Sequence, residues 1–293
     1  MIFRKKFLRA TLPATYPVLR FRHVLGRAFR VARVGGRLRV LMYHNIAPGE
    51  EARFAEQIRW LSQSWTFVSP VRFEAMIDGD EPVLRDSLLI CFDDGFASNR
   101  AVAERILSPM GIQALFFVVS EFVDLDDSEE VRRFVADRFF PGLSTENVPV
   151  QMSNMRWADL DALLEQGHHL GAHTATHARL AENTPVEEIE KEIVASADRL
   201  ETRLGLRIKH FAWPFGDLGS FSRQAFSIAS RRFQYIHSGL RGNNACHVSP
   251  FAIRRDAISV ADSNPMIGAL LEGGADFWYR KHAGILDRWT MEA

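Results

Sequence analysis

Along the chain, short runs that are almost wholly apolar alternate with longer segments whose apolar residues recur every three or four positions. Residues 87–92 (SLLICF) make the clearest run, and such a uniformly apolar stretch reads as a strand covered on both faces. Residues 114–119 read the same way. Residues 37–43, 65–68, 168–172, 208–212 and 234–237 complete the strands, and 250–260 is read as strand-like. Helical spacing falls on 52–62, 72–77, 97–107, 129–139, 158–166, 221–231 and most of 265–280. A long helix over 184–204 opens on Thr184-Pro185-Val186-Glu187, which has the form of a capping box with proline at the first helical position. Gly205 closes it. The charged, irregular stretch 124–150 reads as an insertion over the rim of the fold, forming one wall of a substrate groove.

Strands alternating with helices, without a glycine-rich phosphate motif, predict an α/β fold built on a parallel barrel or open sheet. No internal repeat or linker interrupts residues 37–293, so they are read as a single domain. A hydrophobic content of 47% over 293 residues suits one large buried core.

The formal net charge of zero hides an asymmetry. Residues 1–49 carry eleven Lys or Arg and no acid, so the remainder has 25 basic against 36 acidic side chains, a net −11. A basic arm suits nucleic acid, but an acidic body without a nucleic-acid motif argues against it. Arg4, Lys5, Lys6 and Arg9 resemble the start of an export signal, yet Pro13, Pro17, Arg20 and Arg22 interrupt any apolar core. No stretch approaches the ~20 apolar residues of a membrane span. These features predict a cytoplasmic protein, in contact with the inner membrane only at its periphery.

Residues 18–33, turned at about 100° per residue, place Phe21, Val24, Leu25, Ala28, Phe29 and Ala32 on one side and Arg20, Arg22, Arg27, Arg30 and Arg33 on the other, with Leu19 out of place. Two readings stay open for this basic extension (residues 1–36): contact with an anionic membrane, or packing of its apolar side on the protein body. Cys91 ends a buried strand, and it and Cys246 are read as free thiols.

The chemistry concentrates in two places. Ile90-Cys91-Phe92-Asp93-Asp94-Gly95-Phe96 ends an apolar strand in adjacent carboxylates, which repel one another and pay heavily for burial. A bound cation removes that conflict. His173-Thr174-Ala175-Thr176-His177 offers two imidazoles that would face one ion if the segment formed a helical turn. Two histidines and one carboxylate leave coordination positions open, and the spare carboxylate is free to act as a base. Alone, the Asp-Asp-Gly also fits a solvated turn, and two histidines four residues apart are a weak signal.

Together the two motifs resemble those of the polysaccharide deacetylase family (NodB homology, carbohydrate esterase family 4), joined by Ala212-Trp213-Pro214-Phe215-Gly216 as a third motif that lacks its leading arginine. The likeness spans roughly residues 38–260. It implies a distorted parallel (β/α) barrel of seven strands. It also implies a divalent metal, zinc foremost, held by Asp94, His173 and His177, with Asp93 as general base. The Phe215 amide would serve the oxyanion, with Pro214 fixing the turn. Trp213 would either offer a flat face to a sugar or pack in the core. The family's usual acid motif near the C-terminus is absent. A subgroup resembling poly-N-acetylglucosamine deacetylases supplies a histidine from an N-terminal Tyr-His segment, which matches His44; His282 is the alternative. Arg255, with Arg254 as its rival, would replace the missing arginine. The implied activity is hydrolysis of an N-acetyl group on an amino-sugar polymer or glycan precursor. Small amides or formyl groups, a carbohydrate-binding relic and a structural metal module are the competing readings.

Overall fold

The computed structural model of the chain describes residues 2–29, 35–245 and 248–292, and within its first helix the side chains of residues 11–26. Eight strands form: β1 (Leu38–Tyr43), β2 (Thr66–Phe67), β3 (Ser87–Phe92), β4 (Leu115–Val118), β5 (His169–Ala172), β6 (His210–Ala212), β7 (Tyr235–His237) and β8 (Asp256–Ala257). Seven lie side by side in the order β7-β6-β5-β4-β3-β1-β8, all parallel, while β2 pairs with the first residues of β3. Ile253 bridges to His237 at one edge of this curled sheet, and just afterwards Asp256 pairs with Leu41 at the other. The run 253–257 thus spans the two edges, and the architecture is the seven-stranded (β/α) arrangement expected of the sequence.

The uniform apolar runs arise because both faces of the sheet are covered. Side chains alternate across a strand, so Leu38, Val40, Met42, Leu89, Cys91, Leu115 and Phe117 meet inside the curl. Leu41, Tyr43, Leu88, Ile90, Phe92, Phe116 and Val118 pack outward under the helices. Phe92 stacks on Phe116 at 5.0 Å between ring centroids, which locks neighbouring strands β3 and β4 together.

Several boundaries differ from the sequence expectation. The strand-like reading of 250–260 reduces to β8, because Pro250–Ala252 winds into a 3-10 turn capped by the Ser249 hydroxyl. The predicted capping box at Thr184 does not form. Pro185 itself occupies the capping position of helix Val186–Glu190, so Thr184 stands one residue too early. That helix continues through a widened turn at Lys191–Ala195 into Ser196–Leu204. A final helix, Arg280–Met291, extends beyond the predicted helical tail.

At the N-terminus, Pro13 and Pro17 sit inside one continuous helix, Ile2–Phe29. Leu12 is buried, and Tyr16 and Leu19 pack on the same core, against the helix Asn264–Leu271. Leu19, out of place in the sequence reading, is therefore one of the residues that packs. Residues 30–33 of the predicted amphipathic segment, and Cys246, lie outside the described residues.

Arg39 is the least expected member of β1: a guanidinium 1% exposed, on a strand that is otherwise apolar. It grips Asp256 of β8 through two hydrogen bonds of 2.8 Å and reaches Asp276 at 2.7 Å. A bidentate pair of this kind joins the first strand to the last. Removing one partner strands the other's buried charge. Arg39→Met is therefore expected to lower stability by about 3 kcal/mol in urea unfolding, with Arg241, 3.2 Å from Asp256, limiting the loss.

Candidate metal centre and active site

The C-terminal ends of parallel strands deliver loops to one rim, where such barrels carry their chemistry. Here β1 leads to His44, β3 to Asp93 and Asp94, β5 to His173, and β6 to Trp213. Among the described residues the four non-glycine positions with left-handed backbone are Asp94 (φ 79°), Thr174 (63°), His177 (60°) and Phe215 (61°), and all belong to these loops. Each such residue costs on the order of 1 kcal/mol or more, so the fold concentrates its backbone strain at this rim.

Asp94, His173 and His177 converge. One donor atom from each lies within 4.8 Å of the other two, and all three residues are buried. Asp94 Oδ1 faces His173 Nε2 at 3.6 Å and His177 Nε2 at 3.5 Å, yet it has no hydrogen-bond partner. Both imidazoles are fixed from behind. His173 Nδ1 donates to the Ala212 carbonyl at 2.8 Å, and His177 Nδ1 to the Arg138 carbonyl at 3.0 Å. With Nδ1 carrying the proton, each Nε2 lone pair points inward, as a ligating histidine requires.

Protonation agrees with this arrangement. Burial alone would raise the Asp94 carboxyl, but the close approach of His173 and the charges of His44, His177 and His173 outweigh it and leave it at about 2. Burial pushes the His177 imidazole down to about 4 despite the attraction of Asp94. A carboxylate facing two inward Nε2 atoms, with an orphaned buried oxygen among them, is a donor set that fits a divalent cation.

The histidine segment is not a helical turn, contrary to the sequence expectation. Glu192, buried in the widened turn of the following helix, accepts hydrogen bonds from Ala175 N (3.0 Å), Thr176 N (2.9 Å) and the Thr176 hydroxyl (2.7 Å). The Thr174 and Ala175 carbonyls in turn accept from Ser120 N and Glu121 N. These outward bonds replace the helical ones, and left-handed Thr174 and His177 bend the segment until the two rings lie 5.1 Å apart.

Asp93 is clamped from the inside of the barrel. Arg255 Nη1 donates to Asp93 Oδ1 at 2.6 Å, its Nε donates to the Ser238 carbonyl at 2.9 Å, and its guanidinium lies 5.1 Å above the Phe117 ring. Arg254, the rival, turns outward to Asp287 at 2.6 Å. The remaining Asp93 oxygen, Oδ2, lies 3.9 Å from His173 Nε2. Where the third motif would carry an arginine, Ala212 contributes its carbonyl to His173 instead. Cys91 is a free, buried thiol that burial pushes up to about 12.

A cleft of about 350 Å³ opens over this centre, lined by His44, Asp94, His177, Phe139, Phe140 and Phe215 among others. His44 is exposed there, and its carbonyl accepts from Asn99 of the helix that follows the Asp pair, at 2.9 Å. His282 lies exposed on the last helix and is not among the cleft-lining residues. Trp213 is 1% exposed and stacks on Phe221 at 4.2 Å, so its ring belongs to the core and offers no face to the cleft. Pro214 is buried in the turn that follows, where Gly216 N donates to the Pro214 carbonyl at 2.7 Å. Gly216 passes Gly239 so closely that an added Cβ would lie 2.5 Å from its nitrogen, which excludes any other residue. Phe215 projects outward beside His177, with ring centroids 4.6 Å apart, and Arg179 covers its other side.

Sequence reasoning missed Glu192, Arg138 and the pair Phe139–Phe140. Glu192 did leave a signal: it shares the helix face of buried Ile189, Ile193, Ser196 and Leu200, an odd place for an acid. Arg138 acts through its carbonyl, which no sequence pattern marks. Both it and the phenylalanines come from the 124–150 insertion, whose Val131, Val135 and Phe139 pack with Phe96 and Phe122.

The chain is similar to YxkH of Bacillus subtilis (strain 168), with 21% identity over 243 residues covering 80% of this chain and 76% of YxkH. Its fold is shared with IcaB from Ammonifex degensii (TM-score 0.65, 23% identity, 81% of this chain and 98% of IcaB). A de-N-acetylase from Aggregatibacter actinomycetemcomitans has the same fold (TM-score 0.59, 15% identity, 80% of this chain and 99% of that one). The family model "Polysaccharide deacetylase" matches residues 80–231, just over half of the chain. With the strand order, the rim-borne site and this match in agreement, the chain belongs to the polysaccharide deacetylase family, hydrolases that act on carbon–nitrogen bonds other than peptide bonds.

Proposed function

We propose that this protein hydrolyses the N-acetyl group of an amino sugar within a polysaccharide or glycan precursor, residues 37–293 forming the catalytic unit. The observation that carries this reading is the unpartnered Asp94 Oδ1 facing two inward Nε2 atoms, with a second carboxylate clamped beside it. The Ammonifex structure adds fold alone and the Bacillus relative is named a putative polysaccharide deacetylase, while the name of the Aggregatibacter protein favours nitrogen over oxygen as the acetyl-bearing atom.

Asp94, His173 and His177 are the residues that would hold a divalent cation, and zinc suits two imidazoles and a carboxylate best. When bound, such an ion supplies a Lewis acid for the acetyl carbonyl and lowers the pKa of water. Asp93 takes the proton from the attacking water. Arg255 occupies Oδ1 and leaves Oδ2, on the His173 side, to receive it. The Phe215 N–H, for which no protein acceptor is found among the described residues, serves the oxyanion that develops on the acetyl oxygen. His44, exposed in the cleft, protonates the departing amine nitrogen. The C–N bond then breaks to give acetate and a free amino sugar. Phe139, Phe140 and Phe215 give the sugar apolar surface beside the reacting carbon.

Acetate release should be seen with N-acetylated oligosaccharides on a panel that also holds O-acetylated sugars and small amides; release from small amides alone would overturn the substrate class. Asp93→Asn is expected to keep stoichiometric cation by elemental analysis while losing about 10²-fold or more in rate, and His173→Ala to lose both. His44→Ala is expected to lower kcat by about 10²-fold with cation content unchanged. Unaltered turnover in that variant would move the acid role elsewhere. Glu192→Ala leaves two buried N–H groups without an acceptor, so it should cost about 3 kcal/mol in urea unfolding and weaken cation affinity more than about tenfold. Glu192→Gln, which keeps an acceptor, should recover most of both.

A further inference from the structure

The first helix has an apolar surface on two opposite sides, and the protein body uses only one. On the inner side Leu12, Tyr16 and Leu19 meet the helix Asn264–Leu271 and the turn after it. The fit is specific. A Cβ on Gly268 would come within 2.5 Å of the Tyr16 ring, and one on Gly274 within 3.0 Å of Leu12 and Leu19. Arg20 adds an ion pair with Glu272 at 3.2 Å.

On the outer side Val18 is 62% exposed, Phe21 63% and Leu25 37%, with Val24 at 51% beside them. At about 100° per residue Val18, Phe21 and Leu25 fall in a sector about 60° wide, on the side away from Leu12, Tyr16 and Leu19. The same register places the exposed Ala14 in this sector. A contiguous exposed apolar stripe of this kind requires a partner.

Charge identifies that partner. The helix Ile2–Phe29 contains seven Lys or Arg and no acid. Two copies meeting through this stripe would bring two acid-free cationic helices together, whereas an anionic lipid surface satisfies the apolar stripe and the charge at once. No helix among the described residues is long and apolar enough to cross a membrane, which fits a helix that lies in the interface. We propose that the Val18–Phe21–Leu25 face lies on an anionic lipid bilayer while the Leu12–Tyr16–Leu19 face keeps the helix docked to the enzyme. The proposal does not depend on the hydrolytic reading of the rim.

The full-length protein would be sedimented with vesicles of equimolar phosphatidylglycerol and phosphatidylcholine, and with phosphatidylcholine alone, at low and high salt. Binding should be at least about tenfold stronger to the anionic vesicles and should fall as salt rises. The triple variant Val18→Ser, Phe21→Ser, Leu25→Ser should lose about tenfold or more of that binding while its thermal midpoint and cation content stay unchanged. Arg22→Glu, a single exposed change, should weaken binding and flatten its salt dependence. If the triple variant melts early, this second variant decides alone. Absent binding, or full binding by both variants, would overturn the proposal. So would a lipid-independent dimer that the triple variant dissociates, which would give the face to a second copy.

Discussion

Two adjacent carboxylates at the buried end of a strand repel each other, and burial strengthens the repulsion. Much of the rim's architecture answers that one electrostatic problem. Asp93 is neutralised from within the barrel by Arg255, which is itself buried and held by the Ser238 carbonyl and the Phe117 ring. Asp94 is turned the other way by its left-handed backbone, toward two imidazoles whose outer nitrogens are already committed to carbonyls. One carboxylate thus has a fixed counter-charge, and the other is left with an oxygen that only a cation completes. The division lets one acid be a ligand and its neighbour a base.

Holding that division requires structure from distant parts of the chain. The strand pair β1–β3 sets where the aspartates emerge, and Arg255 arrives on the segment that spans the two sheet edges. The histidine loop keeps its shape because Glu192 satisfies successive backbone N–H groups from a helix that would otherwise be purely structural. Glu192 is buried within a widened turn, and such turns recur at functional sites because they re-aim a side chain without ending the helix. The insertion adds the Arg138 carbonyl behind His177 and the Phe139 ring against it, 4.9 Å between centroids. A segment that reads as peripheral therefore takes part in setting a ligand's tautomer.

Backbone strain marks the same boundary. Non-glycine residues rarely adopt left-handed backbone, and here the described ones that do all surround the proposed cation position. The sheet beneath is regular and largely apolar on both faces, so it can absorb the cost. A closely packed barrel and a strained rim are two halves of one design, since donor atoms must be held near a point that has no covalent tie to them.

From the sequence alone, the alternation of apolar runs and helical spacing determined an α/β fold of parallel strands, because burial on both faces leaves an unbroken apolar run and burial of one helix face leaves a period, and residue order records both directly. The carboxylate pair and the two histidines were equally legible, since adjacent charges after an apolar strand conflict with burial wherever they occur. Tertiary structure alone decided which arginine meets Asp93: Arg254 and Arg255 are neighbours of the same chemistry, and only the direction of the segment at Ile253–Asp256 sends one inward and the other to Asp287. It also put Trp213 in the core and gave the histidine loop a shape no helical period describes. On the first helix it used Leu19, the apparent misfit, for packing, and left Phe21, Val24 and Leu25 of the predicted apolar side exposed. For the arginine pair and the first helix the deciding contact lies far away in sequence, and local pattern carries no record of partners it does not touch.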